Sequence, residues 1–381
     1  MTAGPVDQLP RSDFIVIPLL AMLTLVGLFG LSEIVSRQFF VESGGESCSA
    51  VGPAGVGVMR ANCTSLRKAA EGPQTTNAYN DCGYRTPEPC TPRTAGIRVA
   101  LMGASTAQGM KVQYPATFAA RLSQALGAAC HRPVEFQNMG VPGAGLLDIY
   151  RRLNEALALR PDLIMMVLTP YEMKAPPDAG QMARRDAPVA PAPAQLAVAP
   201  PPKSLVARIS DLAFDSRSLV AAQHFLFQDR ATFTSLFMLH GEDADYLRVP
   251  YRAGWEKRLQ DLDMLLGEMA DRARAAGVPM MLVLGPQRIQ TTLLDDAVRP
   301  QGVDPHEIGR RLAAIAARHD VLFQDTLDGF ATVNDPEAMF YAVDGHMNAD
   351  GHAVFARSVL DRLVHGSAVF RDCTGATLVG N

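Results

Sequence analysis

From residue 97 onward the hydrophobic positions follow two alternating rhythms. Short unbroken apolar runs read as buried strands: IRVALMG (97–103), VEFQNMG (134–140), PDLIMMVLT (161–169), VPMMLVLGP (278–286) and VLFQD (321–325). Between them the apolar positions recur at helical spacing. In YPATFAARLSQAL, Phe118, Leu122, Ala125 and Leu126 share a face, with Pro115 in a first turn. LLDIYRRLNEALAL (146–159) aligns Leu146, Ile149, Tyr150, Leu153 and Leu157. Helices are likewise expected over 255–277, over 306–320 with Ile308, Leu312 and Ile315 in register, and in GHAVFARSVLDRLV near the C-terminus. Continuous apolar strands alternating with helices predict a doubly wound α/β domain, a parallel sheet of about five strands covered on both faces. Ligands of such sheets bind outside the C-terminal strand ends. That rule singles out Gly103 to Ser105, Gly140 to Gly143, Thr169 to Glu172, Gly285 to Arg288 and the turn with Asp344 and His346.

The flanks follow other patterns. FIVIPLLAMLTLVGLFGLS (14–32) carries no charge between Asp13 and Glu33, long enough to cross a hydrocarbon core as one helix. A cleaved signal peptide competes, but the preceding residues are not basic and Ser32-Glu33-Ile34 is a poor cleavage site. The expected layout is a short tail (1–13), an anchor helix (14–36), a loop-rich segment (37–96), the α/β domain (97–370) and a C-terminal tail (371–381). Within the domain, 175–203 is Pro/Ala-rich without periodicity and reads as a linker or insertion. Residues 204–247 read as a helical side lobe.

A net charge of −4 without basic runs excludes an electrostatic nucleic-acid binder. The six cysteines show no zinc-site spacing. Outside the cytoplasm they can pair, and sequence proximity suggests Cys48–Cys63 and Cys82–Cys90, leaving Cys130–Cys373. Six cysteines nevertheless allow many other connectivities. This places the main domain in the periplasm, behind a single inner-membrane helix.

The chemistry-bearing residues cluster at the strand ends. Ser105 follows the first strand in MGAS, where its hydroxyl can stand above the sheet with backbone N–H groups beside it; capping the next helix is the plainer role. Asp344 and His346, spaced i and i+2, share one face of an extended stretch, as a carboxylate orienting an imidazole requires. The plainer role there is a solvated turn whose Asn348 or Asp350 caps the last helix. Tyr171, Gln287 and Arg288 face the same edge and are candidate substrate contacts. His352 and the acidic loop Glu242 to Asp245 lack the spacing of a metal site, and no phosphate-binding glycine loop is present. No metal or cofactor is expected.

In order and spacing, three blocks resemble the SGNH (GDSL-like) hydrolase superfamily: Ser105 in GAS, Asn138-Met-Gly140-Val-Pro-Gly143, and Asp344-Gly-His346-Met-Asn348. The likeness spans about residues 78–365. It is nearest to the membrane-anchored branch with periplasmic alginate and cell-surface polysaccharide O-acetyltransferase proteins, which tends to carry a segment like Asn80-Asp-Cys-Gly83-Tyr84-Arg85. The resemblance implies Ser105 as nucleophile, His346 as general base then acid, and Asp344 as its orienting partner. Backbone N–H groups of Ser105 and Gly143 would form the oxyanion hole, with Gly140 the alternative glycine. Two departures stand out. GAS replaces the usual GDS, and Thr169-Pro170-Tyr171-Glu172 stands where Gly-x-Asn-Asp is usual, so Tyr171 replaces the amide donor.

Two functions follow as expectations. One is a periplasm-facing serine esterase or O-acyltransferase acting on acyl esters, most simply acetyl, of a cell-surface glycan, beside a polytopic acyl-donor partner. The other is a catalytically weak or inactive scaffold subunit that keeps the fold for binding.

Overall fold

The computed structural model describes residues 13–45, 47–52, 55–93, 96–174, 177–186, 216–373 and 377–378. Five strands, β1 (Ser43–Gly44), β2 (Ser49–Val51), β3 (Gly57–Met59), β4 (Thr64–Lys68) and β5 (Gln74–Ala78), precede the main domain. They form two small antiparallel sheets, β1-β4-β5 and β2-β3, in a region whose polar, glycine-rich sequence predicted loops. Alternation there is short and half-exposed, as in β5, where Gln74, Thr76 and Ala78 are exposed and Thr75 and Asn77 buried, so it lacks the apolar contrast that marks a strand.

The main sheet contains β6 (Ile97–Gly103), β7 (Val134–Asn138), β8 (Leu163–Leu168), β9 (Met280–Leu284) and β10 (Leu322–Asp325) in the order β10-β9-β8-β6-β7. Every pairing in it is parallel. The central strands β6, β8 and β9 are buried along their whole length, which is why they appear in sequence as unbroken apolar runs. One face packs against the helices Leu146–Arg151, Leu153–Ala158, Ala253–Ala275 and Glu307–Arg318 through Tyr150, Leu153, Leu262 and Leu312. The other packs against Phe118–Cys130 and Ala349–Gly366 through Phe118, Leu122, Phe355 and Val359. The fold is the doubly wound α/β sheet that the apolar pattern predicts. The chain leaves β6 for β7 on one side and returns to β8 on the other, so the switch point lies between β6 and β8.

Local differences have local causes. The expected helix from Pro115 starts later: Tyr114–Ala116 is a 3-10 turn, and the Thr117 hydroxyl accepts the Ala120 N–H to cap Phe118–Cys130. The 146–159 helix breaks at Arg152, whose guanidinium turns inward to the Met139 carbonyl and pairs with Glu155. Part of the supposed linker is ordered, with a helix at Ala179–Ala183 capped by Asp178 and Arg185 paired to Glu268 at 2.5 Å. Its remainder and the first part of the side lobe (187–215), the N-terminal tail up to residue 12 and most of the C-terminal tail lie outside the described residues. The lobe residues that are described form helices Arg217–Leu226 and Arg230–Met238 and a 3-10 helix, Gly241–Leu247.

Cys48 is bonded to Cys63, Cys82 to Cys90 and Cys130 to Cys373. The N-terminal helix, Asp13–Phe39, is 27 residues long, and its apolar side chains are exposed. Its length and composition suit a membrane anchor and a signal sequence alike.

Candidate active site

Ser105 opens a one-turn helix, Ser105–Gln108, directly beyond β6. That turn is too short to hold itself, and Arg85 secures it. The buried guanidinium donates from Nη1 to the carbonyls of Gln108 (3.0 Å) and Gly109 (2.5 Å), and from Nη2 to Val112 (2.6 Å). Burial lowers Arg85 to about 10, still fully charged near neutrality. Asn80 shapes the segment that delivers Arg85, accepting the N–H groups of Cys82 and Tyr84 and donating to Glu88 O and Gln137 Oε1. The Asn80 to Arg85 stretch is thus a brace behind the serine rather than a part of the pocket.

Asp344 and His346 occupy a turn between the Phe340–Met347 bridge residues, just ahead of the last helix. Asn348 caps that helix, accepting from Asp350 N–H and Gly351 N–H. His346 Nε2 lies 2.8 Å from Ser105 Oγ, and His346 Nδ1 lies 2.6 Å from Asp344 Oδ1. With Nδ1–H donating to Asp344, Nε2 is left to accept the serine proton. The second Asp344 oxygen pairs with Lys111, a residue that sequence reading passed over. Burial alone would raise the Asp344 carboxyl, but the hydrogen bond and charge of His346 and the Lys111 ammonium outweigh it and hold it well below the usual carboxylate range.

Beside Ser105 stands the β7 loop. Gly140 N–H is engaged by Asn138 Oδ1 at 3.0 Å. Among the described residues Gly143 N–H and Ser105 N–H have no protein acceptor. Gly143 has a φ of +79°, a backbone state that favours glycine. Between the two glycines, Gly143 therefore keeps the free donor.

At the β8 end, Thr169 and Glu172 close a capping box. Glu172 Oε2 accepts both Thr169 N–H (2.5 Å) and Thr169 Oγ1–H (2.7 Å). Burial pushes the Glu172 carboxyl up, against those two bonds. Tyr171 points outward and is 56% exposed, with the Lys174 ammonium 5.3 Å from its ring centre. It lines the cavity without supplying an amide donor.

The cavity over these groups measures about 650 Å³. Ser105, Gly143 and His346 form its floor, and Gln223, Phe227 and Phe237 of the side lobe form a wall. Gln287 lines it too, its Oε1 accepting from Tyr246 Oη at 2.8 Å. Arg288 lines the cavity as well and has a second, structural role. Its Nη1 and Nη2 donate to the carbonyls of Ala342 (2.6 Å) and Phe227 (2.5 Å), so it joins the Asp344–His346 turn to the lobe. His352 is a core residue, stacked on Phe118 and held neutral by burial, which lowers it to about 3. Asp81, Cys82 and Cys90 bring ligand-type atoms together, but their sulfurs are in a disulfide and offer no thiolate.

A model of the GDSL-like Lipase/Acylhydrolase family matches residues 101–354. No curated protein matches the sequence. Among solved structures, a catalytic mutant of an acetylxylan esterase from Geobacillus stearothermophilus is 14% identical, covering 72% of this chain and 96% of its own at a TM-score of 0.39. A member of the lipolytic protein G-D-S-L family from Veillonella parvula DSM 2008 is 12% identical, covering 71% and 100% at 0.39. A lipase/acylhydrolase from Enterococcus faecalis is 13% identical, covering 70% and 95% at 0.38.

Proposed function

The chain belongs to the GDSL-like lipase/acylhydrolase family, and on that premise we propose that it is a membrane-anchored, periplasm-facing serine esterase or O-acyltransferase. Its substrate in this reading is an acyl ester, most simply acetyl, of a cell-surface glycan. The observation that carries the proposal is the continuous chain from Ser105 Oγ to His346 Nε2 (2.8 Å) and from His346 Nδ1 to Asp344 (2.6 Å) at the floor of an open cavity.

The steps follow from that geometry. Ser105 Oγ attacks the ester carbonyl as His346 Nε2 takes its proton, and Asp344 steadies the imidazolium. Negative charge on the former carbonyl oxygen develops against the N–H groups of Ser105 and Gly143. Collapse expels the sugar oxygen, which receives the proton from His346, and leaves an acyl-Ser105. Water or a second sugar hydroxyl then loses its proton to His346 and takes the acyl group, as the acyl–Ser105 bond breaks and Ser105 Oγ regains the proton from His346. Hydrolysis and transfer share every residue and differ in which acceptor fills the cavity. Its volume, within the range of about 300–1,000 Å³ usual for small-ligand sites, admits a sugar ring beside the ester. For transfer, a polytopic membrane protein would supply the activated acyl group.

A fluorophosphonate probe tests the nucleophile. The folded wild type is expected to label at Ser105, and Ser105→Ala is expected to abolish labelling. A wild type that stays unlabelled favours the second reading, a scaffold subunit, which the outward Tyr171 in place of an amide donor supports. Hydrolysis and transfer separate when an acetylated oligosaccharide is supplied with and without an acceptor sugar.

A further inference from the structure

The turn carrying Asp344 and His346 is held by residues far from the sheet. Glu71, 8% exposed between β4 and β5, accepts the backbone N–H of Val343 at 2.9 Å and of Asp344 at 3.0 Å on Oε2. Its other oxygen, Oε1, lies 2.7 Å from His224 Nδ1. Gly72, at a φ of +97°, is seated on Tyr341, and a Cβ there would meet the ring at 2.7 Å. Tyr341 in turn donates its N–H to His346 O (2.9 Å) and its hydroxyl to Lys111 O (3.0 Å). On the opposite side Arg288 ties Ala342 to Phe227.

Both routes lead to one helix. His224 belongs to Arg217–Leu226, and Phe227 follows it directly. That helix begins on the apolar N-terminal helix. Glu33 accepts the N–H of Ser218 (2.9 Å) and Arg217 (3.1 Å) and the hydroxyl of Ser216 (2.9 Å), and Ser32 Oγ meets Ser218 Oγ at 2.9 Å. Further along both segments, the Phe40 ring lies edge-on to His224 at 5.5 Å. Arg217–Leu226 therefore runs beside the end of the apolar helix in the same direction, from Glu33 at the foot to Glu71 at the head. If 14–32 spans the bilayer, Glu33 stands at its surface.

We propose that Glu71 is a positioning residue for the Asp344–His346 pair. In this arrangement the Arg217–Leu226 helix is a strut that couples the pair's geometry to the seating of the apolar helix. The inference rests on the catalytic role given above to that pair. Glu71 touches no reacting atom; it fixes the backbone of Asp344, and so the direction from which the carboxylate meets His346 Nδ1. Unseating Glu33 frees the foot of the strut, loosens His224 against Glu71 and lets the turn drift. Serine chemistry is thereby tied to an anchored, assembled chain.

The test uses the full chain in detergent, with two independent readouts: kcat and KM on an acetyl ester, and the far-downfield proton resonance of His346 Nδ1–H. Glu71→Ala is expected to lower kcat about tenfold at unchanged KM, the scale expected for a misplaced catalytic group, and to move the His346 resonance. Glu71→Gln keeps an accepting oxygen and should recover most of kcat, which also covers misfolding of the alanine variant. Glu33→Ala, remote from the turn, is expected to lower kcat by about threefold and to move the same resonance, with no further loss when combined with Glu71→Ala. An unmoved resonance in both variants, or losses that simply add, overturns the coupling. A wild type that shows the Glu71-dependent resonance but neither hydrolyses esters nor labels supports the strut and sinks the esterase reading instead.

Discussion

Asp344 is where two opposing effects meet. Burial favours the neutral acid, whereas His346 and Lys111 favour the carboxylate, and the carboxylate prevails. The sign of the pH dependence follows. A carboxyl held below its unfolded value stabilises the fold at pH above about 4, the ordinary carboxylate range, and the stabilisation fades as pH falls toward the depressed folded value. Removing Lys111 moves the folded value back up. Lys111→Met is therefore expected to cost about 1 kcal/mol near neutrality, modest because both side chains are partly exposed, and to start acid unfolding at higher pH. Urea midpoints measured along a pH series check this; a midpoint difference that does not vary with pH would contradict it. Glu172 carries the opposite sign, since burial raises its carboxyl and a raised acid loses stability as pH rises. Glu172→Gln keeps an acceptor for Thr169, so its melting temperature should gain on the wild type at mildly alkaline pH, with the gap closing in mild acid.

The elements that matter are the turns at the strand ends, and β8 is the instructive one. Its exit is a capping box closed by Glu172 on Thr169, which turns Tyr171 outward. In the proposed mechanism the oxyanion is thus left with backbone donors at Ser105 and Gly143. A side-chain amide at such a site is worth about 10² to 10³ in rate. Because the box is closed by its first and last residues, the third position can change without opening it. An asparagine at that position faces outward as Tyr171 does, so Tyr171→Asn and Tyr171→Phe are both expected to leave kcat nearly unchanged. A large loss in Tyr171→Phe would show that the hydroxyl, not the backbone, serves the oxyanion.

At the scale of the whole molecule, Cys130–Cys373 ties the end of the Phe118–Cys130 helix to the chain beyond Ala349–Gly366, across 243 residues. These two helices cover the face of the sheet beneath the Asp344–His346 turn. A crosslink closing so long a loop restricts the unfolded chain strongly, by about 3–5 kcal/mol in the chain-entropy account. The double variant Cys130→Ala/Cys373→Ala should lose stability on that scale in urea titrations, yet keep Ser105 labelling when folded. Loss of labelling in the folded variant would mean that the clamp also sets the site.

What the sequence determined by itself was local or periodic. The apolar runs of β6, β8 and β9 announce strands because both their faces are buried, and helical spacing announces the covering helices. The 14–32 run announces a helix fit for a membrane, and the order of the blocks around Ser105, Gly143 and His346 announces the family. The half-exposed strands β1 to β5 gave no such contrast, and their pairing was illegible. Only the tertiary structure decided which partners meet across long separations. Lys111 reaches Asp344 over 233 positions, a contact that none of the sequence blocks announces. Arg288 ties the Asp344–His346 turn to the side lobe through backbone carbonyls, and Glu71 reaches that turn from an antiparallel sheet outside the main domain. The reason is physical: periodicity is imposed by each element's own burial, whereas such contacts depend on how the sheet order and the helix docking bring distant turns to one edge.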